Sequence, residues 1–219
     1  MRAKFDLSTL PKSPNLQYEM ELWSQGVHYV AGIDEAGRGA LAGPVSAAVV
    51  ILPHLDTLPQ LLSGVRDSKE MTPLQREYWA GQVRSIALAW RVGFASSVEI
   101  DQIGIVPATL LAVQRALEQL PLPPEHLLLD YIRLAECSLP QTSLIKGDAR
   151  SLSIAAASIL AKTSRDALLR SFDEVYPSYG FGTHKGYATK AHLEALAQFG
   201  PCPEHRTSFQ PIRGEADQA

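Results

Sequence analysis

Four carboxylates stand where apolar stretches of this 219-residue chain come to an end. Asp34 and Glu35 follow segment 27–33, Asp130 follows three leucines, and Asp148 follows Lys146-Gly147 ahead of a stretch rich in Ala and Ser. Side chains alternate along a strand, so an Ile33 that enters the core would turn Asp34 to the opposite face. Carboxylates gathered at one sheet edge suit hard divalent cations such as Mg²⁺ or Mn²⁺, which prefer oxygen ligands. Two such ions, ~3.5–4 Å apart, serve phosphodiester hydrolysis by in-line displacement. Each carboxylate also has a blander reading. Asp34-Glu35 fits a solvated pair at a turn, Asp130 a turn residue after a buried strand, and Asp148 the N-cap of the helix that follows. Sequence spacing does not prove that the four converge.

Beside the first pair lies Gly37-Arg38-Gly39-Ala40-Leu41-Ala42. It fits G-x-G-x-x-A, the weak form of a dinucleotide-binding fingerprint, but that motif must open a helix. Here Gly43-Pro44 and a β-rich run follow, so a nicotinamide or flavin oxidoreductase is disfavoured. Gly37 and Gly39 can instead bring main-chain groups close to a sugar or phosphate, with Arg38 nearby; an ordinary tight turn remains the plain alternative. Ser68 and Lys69 could hold a phosphate ahead of the helix start Thr72-Pro73. In His184-Lys185-Gly186-Tyr187, a Tyr beside a Gly could stack on a sugar or base. His205-Arg206 could reach a phosphate, whereas Lys162 and Arg165 read as a solvated helix face.

The elements that must position these groups follow from periodicity and capping. Helices are expected over residues 16–25, 73–83, 105–120, 151–172 and 190–199. Strands are expected over 27–33, 45–52, 87–95, 127–130 and 141–146. This is a mixed α/β pattern and not a strict βαβ repeat. The small residues opening the helix at 151 would let it lie close to a sheet. Residues 15–176 are read as one catalytic domain, 177–211 as a helical C-terminal extension packed on it, and 1–14 and 212–219 as flexible ends.

Composition sets outer bounds. Hydrophobic residues make up 46% of the chain, enough for a sizeable core, and charged residues 20%. The net charge of −3 gives no global sign of nucleic-acid binding, although a carboxylate site would itself lower the total. Cys137 and Cys202 form neither a CxxC pair nor a zinc-like cluster. No run approaches the ~20 apolar residues of a membrane span, and the N-terminus lacks secretory features. A cytoplasmic protein with no membrane contact is expected.

Together the motifs resemble the ribonuclease HII family. Gly32-Ile33-Asp34-Glu35-Ala36-Gly37-Arg38-Gly39 with Leu41-Ala42-Gly43-Pro44-Val45 looks like its opening signature. Asp67-Ser68-Lys69, Lys146-Gly147-Asp148 running into Ser151–Ile159, His184–Tyr187 and His205–Phe209 follow in order. The resemblance spans about residues 28–211. It implies a ribonuclease H-like mixed β-sheet flanked by helices, with a helical C-terminal part. It implies an endonuclease that cuts RNA in RNA–DNA hybrids and cuts 5′ to single ribonucleotides in duplex DNA, leaving 3′-hydroxyl and 5′-phosphate ends. Such an enzyme would serve ribonucleotide excision repair and DNA replication. By this resemblance Asp34, Glu35, Asp130 and Asp148 are catalytic and bind two Mg²⁺ or Mn²⁺ ions. Gly37, Arg38 and Gly39 read the ribose 2′-hydroxyl, and Tyr187 sits against the sugar on the DNA side of the junction. Ser68, Lys69, Lys185 and Arg206 contact phosphates. The protein is expected to be monomeric, and a replication-clamp contact is left open. Two positions depart from the family pattern: Tyr131 stands where a Gly usually follows the third carboxylate, and Gly104 where Asn is common. A DNA-directed nuclease of similar fold would have no use for the Gly-Arg-Gly and Tyr187 pair. Four intact carboxylates argue against a silent hybrid-binding module.

Overall fold

The computed structural model describes residues 5–213; parts of the expected flexible ends, 1–4 and 214–219, lie outside them. The described elements are α1 (Gln17–Ser24), β1 (Val30–Ala36), β2 (Val45–Ile51), α2 (Leu58–Leu61), α3 (Pro73–Ile86), β3 (Ala89–Ala95), α4 (Ser97–Ile103), α5 (Ile105–Glu118), β4 (His126–Asp130), β5 (Gln141–Leu144), α6 (Leu152–Val175), α7 (Phe181–His184) and α8 (Lys190–Phe199). Short 3₁₀ turns cover Ser68–Glu70 and Gly147–Ala149.

The five strands form one sheet in the order β3-β2-β1-β4-β5. β1 pairs antiparallel with β2 and parallel with β4, so the sheet is mixed, as the family resemblance implied. One face carries Ala31, Ile33, Val49, Leu127 and Leu129 against α5. The other carries Val30, Val50 and Leu128 against α6. Burying a side chain such as Ile33 or Leu128 contributes about 1.5–3 kcal/mol each. The expected close approach of α6 is realised at Gly32, where a Cβ would lie 2.2 Å from the Ser153 carbonyl carbon. Ala155, Ala156 and Ala157 are fully buried on the same helix.

Three local readings change. Asp34 and Glu35 do not lie in a turn: β1 runs on to Ala36, and they pair with Ala48 and Ala47 of β2. The N-cap of α6 is Ser151, whose hydroxyl accepts from Ile154 N–H at 3.2 Å, so Asp148 is freed from capping. α4 was not expected, yet Ser96 and Glu99 form a reciprocal capping box at its start. The helix ends at Gly104, where φ is 83°, a conformation that Asn tolerates and Gly adopts freely.

α1 is fixed by a buried charge. Glu19 Oε1 accepts from Ser151 Oγ (2.6 Å), Ser153 N–H (2.9 Å) and Ser153 Oγ (2.6 Å) at the start of α6. Burial raises its carboxyl above the ordinary range, against the lowering effect of these donors.

Candidate active site

Asp34 leaves β1 on its α6 side, Asp130 ends β4, and Asp148 sits in the 3₁₀ turn before α6. Parallel pairing of β1 with β4 brings the first two to one edge, and one carboxylate oxygen from each of the three lies within 4.8 Å of the others. Glu35 does not join that set; its Oε1 pairs with Arg38 Nη1 at 2.9 Å. Asp130 Oδ1 accepts from Gly147 N–H at 2.7 Å, and Asp34 Oδ1 from Glu35 N–H at 2.7 Å. Asp34 Oδ2, Glu35 Oε2 and Asp148 Oδ1 are buried and have no hydrogen-bond partner. Such atoms are costly unless something binds them.

The electrostatics agree. Burial, then Glu35 and Asp130, push the Asp34 carboxyl well above its ordinary range, opposed by the Ser158 hydroxyl. Burial and Asp148 raise Asp130 to about 6. Lys69 is one nearby cation, 3.3 Å from Asp148 and 3.5 Å from Asp67. Burial opposes its charge, but Asp67, Asp148 and Asp34 outweigh that and raise its pKa. An all-oxygen set with orphaned buried carboxylate atoms fits a hard divalent cation.

The Gly-Arg-Gly loop is held from beneath. Arg165 donates to the carbonyls of Pro44 (2.8 Å), Lys185 (2.9 Å) and Ala42 (2.9 Å). Arg206 donates to those of Gly43 (3.0 Å), Arg38 (2.9 Å) and Gly37 (2.8 Å). Carbonyls are thus drawn inward, and the N–H groups of Arg38 and Gly39 find no acceptor among the described residues. Gly37 is structurally required: φ is 91° and a Cβ would lie 2.0 Å from Arg165 Nε. Gly39 is different, because a Cβ there would meet nothing within 4 Å. Gly39→Ala is therefore expected to leave the melting temperature unchanged, because the added methyl group meets no neighbour. Parallel melting curves would check this, and a midpoint lowered by several degrees would show that Gly39 is required for the fold of the loop.

The other expected contacts divide. Tyr187 is 38% exposed, with Lys162 Nζ 5.6 Å and Arg165 Cζ 5.7 Å from its ring centroid. Lys185 is half-buried and donates to Gly182 O. It lines a cationic pocket with Arg76, Lys162 and Arg170. Three expectations are corrected. Arg206 is fully buried with its donors spent on carbonyls, so it holds the loop and does not reach a phosphate. Ser68 is also buried, its hydroxyl 2.9 Å from that of Ser158. Arg165 is no solvated helix residue either, being 0% exposed. Sequence reading missed Ser158 and the loop-holding role of Arg165; six backbone carbonyls gathered from 37–44 and 185 leave no local signal.

Behind the loop two buried histidines, His192 and His205, form a neutral hydrogen-bonded pair, with His184 stacked on His192. His192 Nδ1–H donates to Tyr187 O (2.9 Å), while its Nε2 lies 3.0 Å from His205 Nε2. His205 Nδ1 accepts from Cys202 N–H (2.9 Å), so His205 Nε2 carries the shared proton. Burial, with His192, depresses His205 to about 4. Its contribution to stability, up to roughly 3 kcal/mol, is complete above the unfolded pKa near 6.5 and is lost as pH falls toward 4. Asp130, raised to about 6, acts in the opposite sense over part of this window. The isolating measurement is the stability gap between wild type and His205→Asn, which should narrow between pH 7 and 4. A gap independent of pH would contradict a neutral His205.

Sequence comparison bears directly on this geometry. A profile of the ribonuclease HII family matches residues 31–212. The chain belongs to the ribonuclease HII family. Ribonuclease HII of Synechococcus sp. (strain JA-3-3Ab) is 57% identical over 201 residues, covering 91% of this chain and 90% of that one. Ribonuclease HII of Roseiflexus castenholzii is 51% identical over 200 residues, covering 91% and 89%. The solved ribonuclease H2 of Pyrococcus horikoshii OT3 superposes with a TM-score of 0.73 at 26% identity, covering 86% of this chain and 97% of that one. A ribonuclease HIII solved with Mn²⁺, at 15% identity and a TM-score of 0.64, supports the fold alone. Ribonuclease HII enzymes are metal-dependent ribonucleases, and membership implies endonuclease action on the RNA of RNA–DNA hybrids. Among the described residues no helix is long and apolar enough to cross a membrane.

Proposed function

We propose that this ribonuclease HII cuts RNA–DNA hybrids and also cuts 5′ to single ribonucleotides in duplex DNA, leaving 3′-hydroxyl and 5′-phosphate ends. The observation that carries the proposal is the juxtaposition of two devices on one stretch: β1 delivers Asp34 to the acidic cluster and runs directly into Gly37–Gly39. Asp34, Glu35, Asp130 and Asp148 would hold two Mg²⁺ or Mn²⁺ ions. Bound divalent cations supply Lewis-acid stabilisation of the charge that develops on the phosphate oxygens.

The protein's own groups do the selecting. The outward N–H groups of Arg38 and Gly39 hydrogen-bond the 2′-hydroxyl, a group that DNA lacks. A site built to satisfy a hydroxyl discriminates against its absence, because the donors would be left unpaired. Tyr187 packs on the deoxyribose past the junction, and Lys69 and Lys185 neutralise phosphates. Residues 177–211 act as an extension of a 15–176 catalytic domain, since they supply Tyr187 and Arg206.

The test uses duplex DNA bearing one ribonucleotide beside an all-DNA duplex, each with Mg²⁺ or Mn²⁺. Cutting only on the 5′ side of the ribonucleotide is expected. Equal cutting of both duplexes would overturn ribose reading, and no cutting of either would overturn the enzyme assignment. Tyr187→Ala should lower single-ribonucleotide cleavage by roughly 10–100-fold, the worth of one lost stacking contact. Unchanged rates on that substrate would rule out the junction role.

A further inference from the structure

Asp130 is followed by a residue whose backbone does not suit its side chain. Tyr131 has φ 61°, in the left-handed region that bulky L-residues rarely enter. Hydrogen bonds pin it there. Its N–H donates to Leu144 O at 2.9 Å, and the next N–H, of Ile132, turns back to Asp130 O at 2.7 Å. Packing does little to offset the strain, because Tyr131 is 68% exposed. Across the β4–β5 pair, Lys146 repeats the pattern with φ 58° and an exposed side chain. The residue after it, Gly147, donates to the Asp130 carboxylate. Left-handed residues therefore flank both Asp130 and Asp148, and strain kept without a packing return marks places where side-chain direction matters.

The rim they build has a distinct composition. Tyr131, Ile145 and Lys146 are all exposed, and Tyr131 and Lys146 lie within two residues of Asp130 and Asp148, so a phenol ring and a cation stand beside the acidic cluster. Rings interleaved with cations suit a nucleic-acid strand, whose bases stack while its phosphates are neutralised. The sheet order fixes which flank this is. The Gly37–Gly39 loop leaves β1 toward β2, whereas Tyr131 leaves β4 toward β5. Gly186, next to Tyr187, packs against Ala42 in the β1–β2 connection, so Tyr187 belongs to the first flank. A strand crossing the carboxylates would meet Tyr187 on one side and Tyr131 on the other.

We propose that Tyr131, with Lys146, forms a nucleotide subsite that stacks a base of the cleaved strand on the flank opposite Tyr187, with Lys146 against the adjoining phosphate. The inference rests on the ribonuclease reading above and extends it to a second base-stacking position.

The experiment measures equilibrium binding of ribonucleotide-containing duplexes in Ca²⁺, with the base removed at successive positions along the cleaved strand. Wild type should show a loss of roughly tenfold at one position upstream or downstream of the ribonucleotide. In Tyr131→Gly that step should disappear, overall affinity should fall by a similar factor, and the melting temperature should rise by roughly 2–4 °C as strain is relieved. Tyr131→Phe should keep the step. The same base-removal profile in wild type and Tyr131→Gly would overturn the subsite. The two readings fail separately: equal cutting of DNA and ribonucleotide duplexes sinks ribose reading, whereas an unaltered profile in an enzyme that still selects ribonucleotides sinks only the role of Tyr131.

Discussion

Asp34→Asn is expected to keep the fold, raise metal-free stability and lose cleavage activity by about 10³-fold or more, the scale of several kcal/mol of charge stabilisation. The fold should survive because the amide oxygen can still accept from Glu35 N–H, the bond that Asp34 Oδ1 now makes at 2.7 Å. Stability should rise because the substitution removes one of several buried like charges: Asp34 is 4% exposed and raised by burial, Glu35 and Asp130. Activity should fall because Asp34 Oδ2, buried and without a partner, is one of the atoms left for a cation. Melting in a chelator and single-turnover cleavage at saturating Mg²⁺ give the two readouts. Wild-type turnover in Asp34→Asn would take this residue out of the metal site. A fall in both activity and stability would point to a structural role instead.

Arg206→Ala should be the most destabilising of the substitutions considered. It removes a fully buried guanidinium and strands the carbonyls of Gly37, Arg38 and Gly43. Each orphaned group costs about 1–3 kcal/mol, and breaking a buried polar arrangement of this kind costs about 3–5 kcal/mol in all. For a chain of this size that corresponds to a melting temperature lower by roughly 10–15 °C. Burial, with Arg165 nearby, lowers its pKa to about 9, so the group remains a cation at neutral pH. Arg206→Lys should not rescue it, since an ammonium cannot present the planar fork that spans three carbonyls. Folded Arg206→Lys protein should cut ribonucleotides with reduced selectivity, because the loop's N–H groups lose their direction. Wild-type melting and selectivity in either variant would show that Arg165 alone holds the loop.

What could be read from the sequence had a local cause. The strands carrying Asp34 and Asp130 were visible as apolar runs, although β1 continues two residues past Asp34, and residues 190–199 were bounded by Thr189 as cap and Gly200 beyond. α4 was readable in principle from Ser96 and Glu99, three apart, but its seven residues carry little periodicity. Long-range consequences were not readable. Arg206 and Ser68 look like phosphate ligands in one dimension, and only packing shows that they face inward. The departure at Tyr131 acquires a meaning only once φ is known: the position is one that glycine fills without strain. Convergence of Asp148 on Asp34 and Asp130 depended on parallel pairing of β4 with both β1 and β5, which sequence does not dictate.

The two guanidiniums under the Gly-Arg-Gly loop come from positions 165 and 206, more than a hundred residues downstream of the carbonyls at 42–44 that they bind. A chain emerging from the ribosome can pair β1 with β2 early, but the loop between them has no clamp until almost the whole protein has been made. Domains tend to assemble in the order of synthesis. Shaping of the Gly37–Gly39 loop is therefore among the last steps of folding, and a message truncated before Arg206 would encode the carboxylates beside a loop that lacks half of its clamp.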